Sequence, residues 1–263
     1  MLVVTWNVNS LRARMPRVLE LLAQYRPDVV CMQETKCPPD GFPAPELSAA
    51  GYSAVHHSAG QWAGVAILAR EGLDATNPAV GLPGEPSAAE ARWCEATIAG
   101  IRFASTYVPN GRSLDSPEFP RKLAFLDAAA ERAAALRDRP LVVAGDMNIA
   151  PADADVYDPA AFAGSTHVTP QERSRLRQIL DRGGLVDAYR ELYPTVPQFT
   201  WWDYRAGHFH KGLGLRIDLI LVSAELAGGV SACGIYRDYR KGSKPSDHAP
   251  LMMELAGPQG SAA

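Results

Sequence analysis

The stretch "PLVVAGDMN" (residues 140–148) is an apolar, β-branched run that stops abruptly at an acid and an amide. It reads as a buried strand whose polar end, Asp146 and Asn148, is left at an edge of the core. Four other runs have the same form. "LVVTWNVN" (2–9) carries Asn7 and Asn9, and "VVCMQE" (29–34) ends on Glu34. "LRIDLI" (215–220) holds Asp218, and "KPSDHAP" (244–250) sets Asp247 beside His248 ahead of a further apolar run. If these strands belong to one sheet system with aligned ends, their polar groups converge on one cleft.

Oxygens of Asp, Glu and Asn around a single histidine suit a hard divalent cation such as Mg²⁺, which keeps waters or phosphate oxygens in its shell. They make a poor zinc site, having one histidine and no thiolates. The chemistry such a cluster supports is metal-assisted phosphoester hydrolysis. Taken one at a time, each Asp or Asn is more readily a turn residue closing a strand. Asp218 is the exception, because a carboxylate inside an apolar run needs a partner. His248 can be that partner. Asp247 cannot, because adjacent side chains in an extended segment diverge. The expectation is that Asp218 orients His248 while Asp247 points toward metal or water.

Around these runs the chain alternates strands and helices. "GYSAVHH", "AGVAILAR", "RWCEATIAG" and "IRFASTYV" are short strands between turn residues, and "HAPLMMEL" closes the series. "MPRVLELLAQY" has helical spacing, with Val18, Leu21 and Leu22 on one face. The stretch 116–138 is a long helix, with Ser116 as N-cap and Pro117 opening it. A second helix begins at Thr169 and Pro170, has Glu172 three residues after its cap, and closes at Gly183. Strands of both hairpin and crossover type, too many for one sheet, predict an α/β fold with two packed mixed sheets and helices outside. No repeat or linker divides the chain. One domain over 1–256 is expected, followed by a disordered tail at 257–263.

Bulk properties narrow the class. The 263 residues, 47% hydrophobic and 21% charged, are ordinary for a globular protein. The net charge of −3 argues mildly against a nucleic-acid binder, although clustering of basic groups matters more. Cys31, Cys37, Cys94 and Cys233 match no zinc spacing and no disulfide framework, which fits a reducing cytoplasm. No run is long enough to span a membrane, and the N-terminus reads as a working strand rather than a signal peptide. A cytoplasmic monomer without membrane contact is expected.

In order along the chain, "VVTWNVNSLRAR", "VCMQETK", "STYVPNG", "VVAGDMNIAP", "FTWWDYR", "GLRIDLILVS" and "PSDHAP" resemble the exonuclease III family of abasic-site endonucleases, within the endonuclease/exonuclease/phosphatase superfamily. The matches run from Val3 to Pro250. The resemblance implies a four-layer α/β sandwich, with two mixed β-sheets face to face and helices on both outer faces. It implies Mg²⁺- or Mn²⁺-dependent cleavage of duplex DNA on the 5′ side of abasic sites, leaving a 3′-hydroxyl. It further implies 3′→5′ exonuclease activity and trimming of blocked 3′ ends, in base excision repair.

Carried over by position, the resemblance makes Glu34 the principal metal ligand, with Asn7 supporting metal or phosphate and Asp247 a further ligand. Asp146 would orient or deprotonate the attacking water, or share the metal, and Asn148 would hold the phosphate. His248, held by Asp218, would contact the scissile phosphate. Tyr107 would hydrogen-bond phosphate or stand near the leaving group. An enzyme acting on an abasic nucleotide flips it out of the stack. Trp201, with Leu215 and Ile217 as walls, would form the small apolar pocket for the base-free sugar, while Trp202 reads as core. DNA contacts would come from Arg112, Lys36, Trp62 and the basic, aromatic stretch around Arg240 and Lys241.

Two features depart from the family pattern. His208 and His210 stand where acidic or small residues are expected and read as an exposed loop. The stretch after "NIAP" is not basic. Other readings are a catalytically inactive nucleic-acid-binding regulator of the same fold, or a superfamily phosphatase acting on lipid or inositol phosphates. The presence of Glu34, Asp146, Asn148, Asp218 and His248 weighs against the first. "FTWWDYR" and "GLRIDLILVS" weigh against the second.

Overall fold

Twelve strands form two six-stranded sheets in the computed structural model, which describes residues 1–256. The first sheet runs β11 (Val230–Ile235), β12 (Leu251–Leu255), β1 (Leu2–Asn7), β2 (Val29–Gln33), β4 (Val65–Arg70), β3 (Tyr52–His57). The second runs β5 (Thr76–Val80), β6 (Trp93–Ile98), β7 (Ile101–Tyr107), β8 (Leu141–Asp146), β10 (Asp218–Ser223), β9 (Leu185–Asp187). Each sheet is mixed: β1–β2 and β7–β8 are the parallel pairs, and the rest are antiparallel. The expected tail lies outside the described residues. No helix among the described residues is long and apolar enough to cross a membrane.

Side-chain alternation assigns each strand residue to a layer. Val3, Val29, Cys31, Val142, Ala144, Ile220 and Val222 meet between the sheets. Val4, Trp6, Val30 and Met32 turn outward against α1 (Leu11–Tyr25) and α2 (Ala44–Ala49), through Val18, Leu21, Leu22 and Leu47. Leu141, Val143, Leu219 and Leu221 turn outward against α3 (Glu118–Ala135) and α4 (Pro170–Gly183). The result is the expected four-layer sandwich. Each fully buried aliphatic side chain in these layers contributes about 1.5–3 kcal/mol against solvent exposure.

Several local expectations shift. Helix α1 starts at Leu11, four residues before the predicted start, because Ser10 caps it by accepting from the Ala13 N–H. Pro16 is then inside the helix. Helix α4 has the predicted capping box at Thr169 and Glu172, but its left-handed cap is Gly184 (φ 61°), and Gly183 is its last helical residue. Asp218 opens β10 instead of lying within it. The short strands β5, β9 and β11 carry no strong alternation and are not legible in sequence.

Gly145 is required by packing. A Cβ there would lie 2.0 Å from the Thr106 carbonyl oxygen of the neighbouring strand. The close approach sets the ends of β7 and β8 side by side, with Tyr107 opposite Asp146.

Candidate active site

The parity that buries Val3, Val142, Ile220 and Phe103 between the sheets also turns Asn7, Asp146, Asp218 and Tyr107 inward at the strand ends. Strands β1, β2, β7 and β8 deliver their C-terminal ends to one rim of the sandwich. Asp218 comes to the same rim from the start of β10, opposite Asp146 in register. Glu34 follows β2 in a left-handed conformation (φ 51°), where the strand alternation no longer governs its direction.

These side chains form one connected group. Asn7 Nδ2 donates to Glu34 Oε1 at 2.8 Å and to Asp146 Oδ2 at 2.9 Å, bridging the two sheets. One ligand atom each from Glu34, Asp146 and His248 lies within 4.8 Å of the others. His248 Nδ1 is 2.8 Å from Asp218 Oδ2, and its Nε2 is 3.7 Å from Asp146 Oδ2, beyond hydrogen-bond reach. The His248 backbone is pinned as well: its carbonyl accepts from Trp6 Nε1 and its N–H donates to Ser246 Oγ.

Electrostatics give each group a distinct character. Burial pushes the Asp146 carboxyl up to about 7, although His248 pulls in the opposite direction. Burial alone would discharge His248, but Asp218 first and Asp146 second outweigh it and hold the ring protonated up to about 10. Tyr107 is raised well above its ordinary value by burial and by the nearby Glu34 and Asp146 charges, so its hydroxyl is a donor and not a base. The Arg92 guanidinium stacks over its ring at 4.7 Å. Two carboxylates facing each other across an amide, one of them fully buried, fit a hard divalent cation. Glu34 and Asp146 are the residues that would hold it.

Some predicted residues have other partners. Asp247 lies outside the Glu34–Asp146–His248 group: Oδ1 accepts from Asn9 Nδ2 at 2.9 Å and Oδ2 from Trp201 Nε1 at 3.0 Å. Its carboxylate therefore braces the loop between Asn9 and Trp201. Lys36 is a counter-ion of Glu34 at 2.8 Å and donates to Asn9 Oδ1, so it is not a free DNA contact. Arg240 is 6% exposed, donates to the Ser246 and Trp202 carbonyls, and lies over the Trp202 and Phe209 rings. It holds the Asp247–His248 loop from inside and cannot reach a phosphate backbone. Lys241, its exposed neighbour, pairs with Asp238 at the surface. His210 is exposed on a short helix at His208–Lys211 and is not part of the Glu34–Asp146–His248 group.

Others fall together. Trp62, 78% exposed, and Arg112 line one cavity of about 390 Å³ with Tyr107, Asn110 and Arg92. A cavity of about 640 Å³ near Arg26, Tyr52 and Arg70 contains none of these groups, so volume does not locate the site. Trp201, half-buried, packs with Leu215 and Ile217 in a small apolar cluster beside the loop, and it forms backbone bridges to Leu215 and His248. Trp202 is core.

The sequence reading missed a buried polar group behind Asn148. His167 (φ 80°) places Nδ1 2.6 Å from the Asn148 carbonyl, and burial holds its ring neutral, with a value near 4. Lys122 and Glu172 are fully buried beside it. The available signal was Lys122 itself, a lysine on the apolar face of α3 between Phe119 and Phe125. A second missed group, Arg216 with Asp155 and Asp187, is buried behind the Leu215–Ile217 wall.

Comparison with known proteins finds relatives over nearly the whole chain. The sequence profile of the endonuclease/exonuclease/phosphatase family matches residues 4–248. Exodeoxyribonuclease III of Haemophilus influenzae is 33% identical, covering 96% of this chain and 98% of its own. The 3′ phosphatase NExo from Neisseria, solved with a product DNA hairpin, is 39% identical with a TM-score of 0.94, covering 97% and 99% of the two chains. An AP endonuclease from Archaeoglobus fulgidus is 34% identical with a TM-score of 0.92, also covering 97% and 99%. The chain therefore belongs to the endonuclease/exonuclease/phosphatase family, as a nuclease of the exodeoxyribonuclease III type.

Proposed function

We propose that the chain is a Mg²⁺- or Mn²⁺-dependent DNA repair hydrolase that cleaves 5′ to abasic sites and removes blocking groups from 3′ ends. The observation that carries this reading is the Glu34–Asn7–Asp146–His248 constellation, with Asp218 behind the histidine. DNA is the substrate class, as the relatives' names imply. Glu34 and Asp146 would hold the cation, which when bound supplies charge neutralisation at the phosphate.

The chain's own residues divide the remaining work. Asp146, with its carboxyl near neutrality, is suited to orient water and take its proton. Cationic His248 offers Nε2–H to a phosphate oxygen, while Asp218 fixes the ring through Nδ1. Asn148 holds Asp146 by donating its backbone N–H to Oδ1 at 2.9 Å. Tyr107 keeps its proton and offers a hydrogen bond beside Glu34.

A second reading, in which 3′-end cleaning predominates over abasic incision, is favoured by the 39% identity to a 3′ phosphatase against 34% to an AP endonuclease. One experiment addresses both. The protein is incubated with Mg²⁺ and three duplexes: one with an abasic analogue, one nicked with a 3′-phosphate, and one undamaged. Activity on either damaged duplex above the undamaged control supports the proposal, and their ratio decides between the readings. Inertness on all three with either metal would sink it.

A further inference from the structure

Lys122 lies on α3, with its side chain and that of Glu172 both 0% exposed. Its ammonium donates to the Asn148 carbonyl at 2.7 Å, the Asn110 carbonyl at 3.2 Å, Thr166 Oγ1 at 3.2 Å, and Glu172 Oε1. Glu172 also accepts from the Thr166 hydroxyl and the His167 and Thr169 N–H groups. One buried cation thus ties three segments together: the loop after β7, the loop after β8, and the turn before α4. Gly111 allows the approach, since a Cβ there would stand 3.0 Å from Lys122 Cδ and 3.2 Å from Thr166 Oγ1.

All three segments meet at Asn148. Its conformation is left-handed (φ 50°), its backbone N–H holds Asp146, and its side-chain amide donates to the Val108 carbonyl at 2.9 Å. Its carbonyl receives Lys122 on one side and His167 Nδ1 on the other. A buried charge is costly where packing alone would suffice, and a lysine is an expensive way to fill an apolar helix face. Here its donors converge on carbonyls of two residues that face the site.

We propose that Lys122 is a positioning residue for hydrolysis, acting through Asn148. The proposal rests on the reading that Asn148 serves the reaction. The Lys122–Glu172 pair fixes the Asn148 backbone, and thereby the direction of the Asn148 side-chain amide, the group that would hold the phosphate. Misplacement of a reacting group by about 1 Å can cost on the order of a hundredfold in rate. Lys122 touches neither substrate nor metal ligand, so its loss should appear in kcat and leave DNA binding nearly intact.

The test is a double-mutant cycle on the full chain. Lys122→Met alone strands the Glu172 carboxylate, so the first variant is Lys122→Met with Glu172→Gln, which removes both charges. The second is Asn148→Ala, and the third combines them. The charge-free pair should lower kcat by at least about tenfold while KM for DNA stays within about threefold. In the Asn148→Ala background the same change should cost less than about twofold, because residues acting as a unit are not additive. An equal loss in both backgrounds overturns the proposal and leaves the role of Asn148 standing. An Asn148→Ala protein with full turnover overturns both. If the charge-free pair does not unfold cooperatively, Thr166→Val, which removes one hydroxyl from the same group, takes its place in the cycle.

Discussion

Asp218 and His248 stand thirty residues apart in sequence and 2.8 Å apart in space, Oδ2 to Nδ1, with both side chains buried. The acid next to the histidine, Asp247, is bound to Asn9 and Trp201 instead. Asp218 is the largest of the carboxylate charges that keep the His248 ring protonated against burial, ahead of Asp146 and Asp247.

That relationship predicts a pH profile. With His248 protonated up to about 10, the alkaline limb of kcat should lie well above neutral pH, while protonation of Asp146, the base, at about 7 sets the acid limb. Asp218→Asn removes the carboxylate that favours the cation, so the ring's titration drops and burial lowers it further. The alkaline limb should move down by at least about one pH unit. An unmoved limb in a folded variant would show that Asp218 does not set the ring's charge.

Stability should follow the same sign. The folded value of His248 is raised above 6.5, so the group's contribution to stability is fully present below pH 6.5 and is lost as pH rises toward about 10. Thermal unfolding of the native chain should lose more between pH 7 and 10 than that of His248→Asn. Parallel curves for the two proteins would contradict the assignment.

Metal binding and turnover should separate. Glu34→Gln should weaken Mn²⁺ binding, measured by calorimetry without DNA, because it removes one of two carboxylates facing the proposed cation. His248→Asn should bind Mn²⁺ almost normally yet lose at least about a hundredfold in kcat, the scale of a lost transition-state contact. If His248→Asn lost metal as severely as Glu34→Gln, the histidine would belong to the metal shell.

DNA affinity should depend steeply on salt despite the net charge of −3. Each phosphate contact contributes roughly 0.9 to the slope of log K against log salt. Arg112→Ala, at the exposed Trp62 cavity, should lower that slope by up to about one. Arg240→Ala should leave the slope unchanged and lower the melting temperature, because its guanidinium is buried on the Ser246 and Trp202 carbonyls. A folded Arg240→Ala protein with a reduced slope would restore it as a DNA contact.

The strands that place the site were legible because apolar runs with polar ends follow from alternation across a two-sided core. Asn7, Asp146 and Asp218 are polar residues in the parity otherwise filled by Val3, Ala144 and Ile220. What the sequence hid was partner choice. Lys36 and Arg240 carry the same charge as Arg112, and only the fold shows that one pairs with Glu34 and another is sealed under a loop. Gly183 ends α4 as expected, and of the two tandem glycines it is Gly184 that adopts the left-handed cap conformation.

Trp201 should set selectivity for damage and not the chemistry. Its ring packs with Leu215 and Ile217 beside His248, while its Nε1–H donates to Asp247. The two roles come apart by substitution. Trp201→Phe keeps an aromatic wall and loses the hydrogen bond; Trp201→Ala loses both and opens apolar space. If the wall excludes intact nucleotides by overlap, Trp201→Phe should hold most of the ratio of kcat/KM on abasic over undamaged duplex. Trp201→Ala should lose about tenfold or more of it, within the range one apolar pocket contact supplies. Truncating a buried tryptophan costs about 3–5 kcal/mol, and this half-buried one less, so thermal unfolding is measured first. If both folded variants fell equally, the decisive contact would be the bond to Asp247 and the bracing of the His248 loop. If neither changed the ratio, Trp201 would be scaffolding, and selectivity would have to arise at the Trp62 and Arg112 cavity, where the duplex backbone would be gripped.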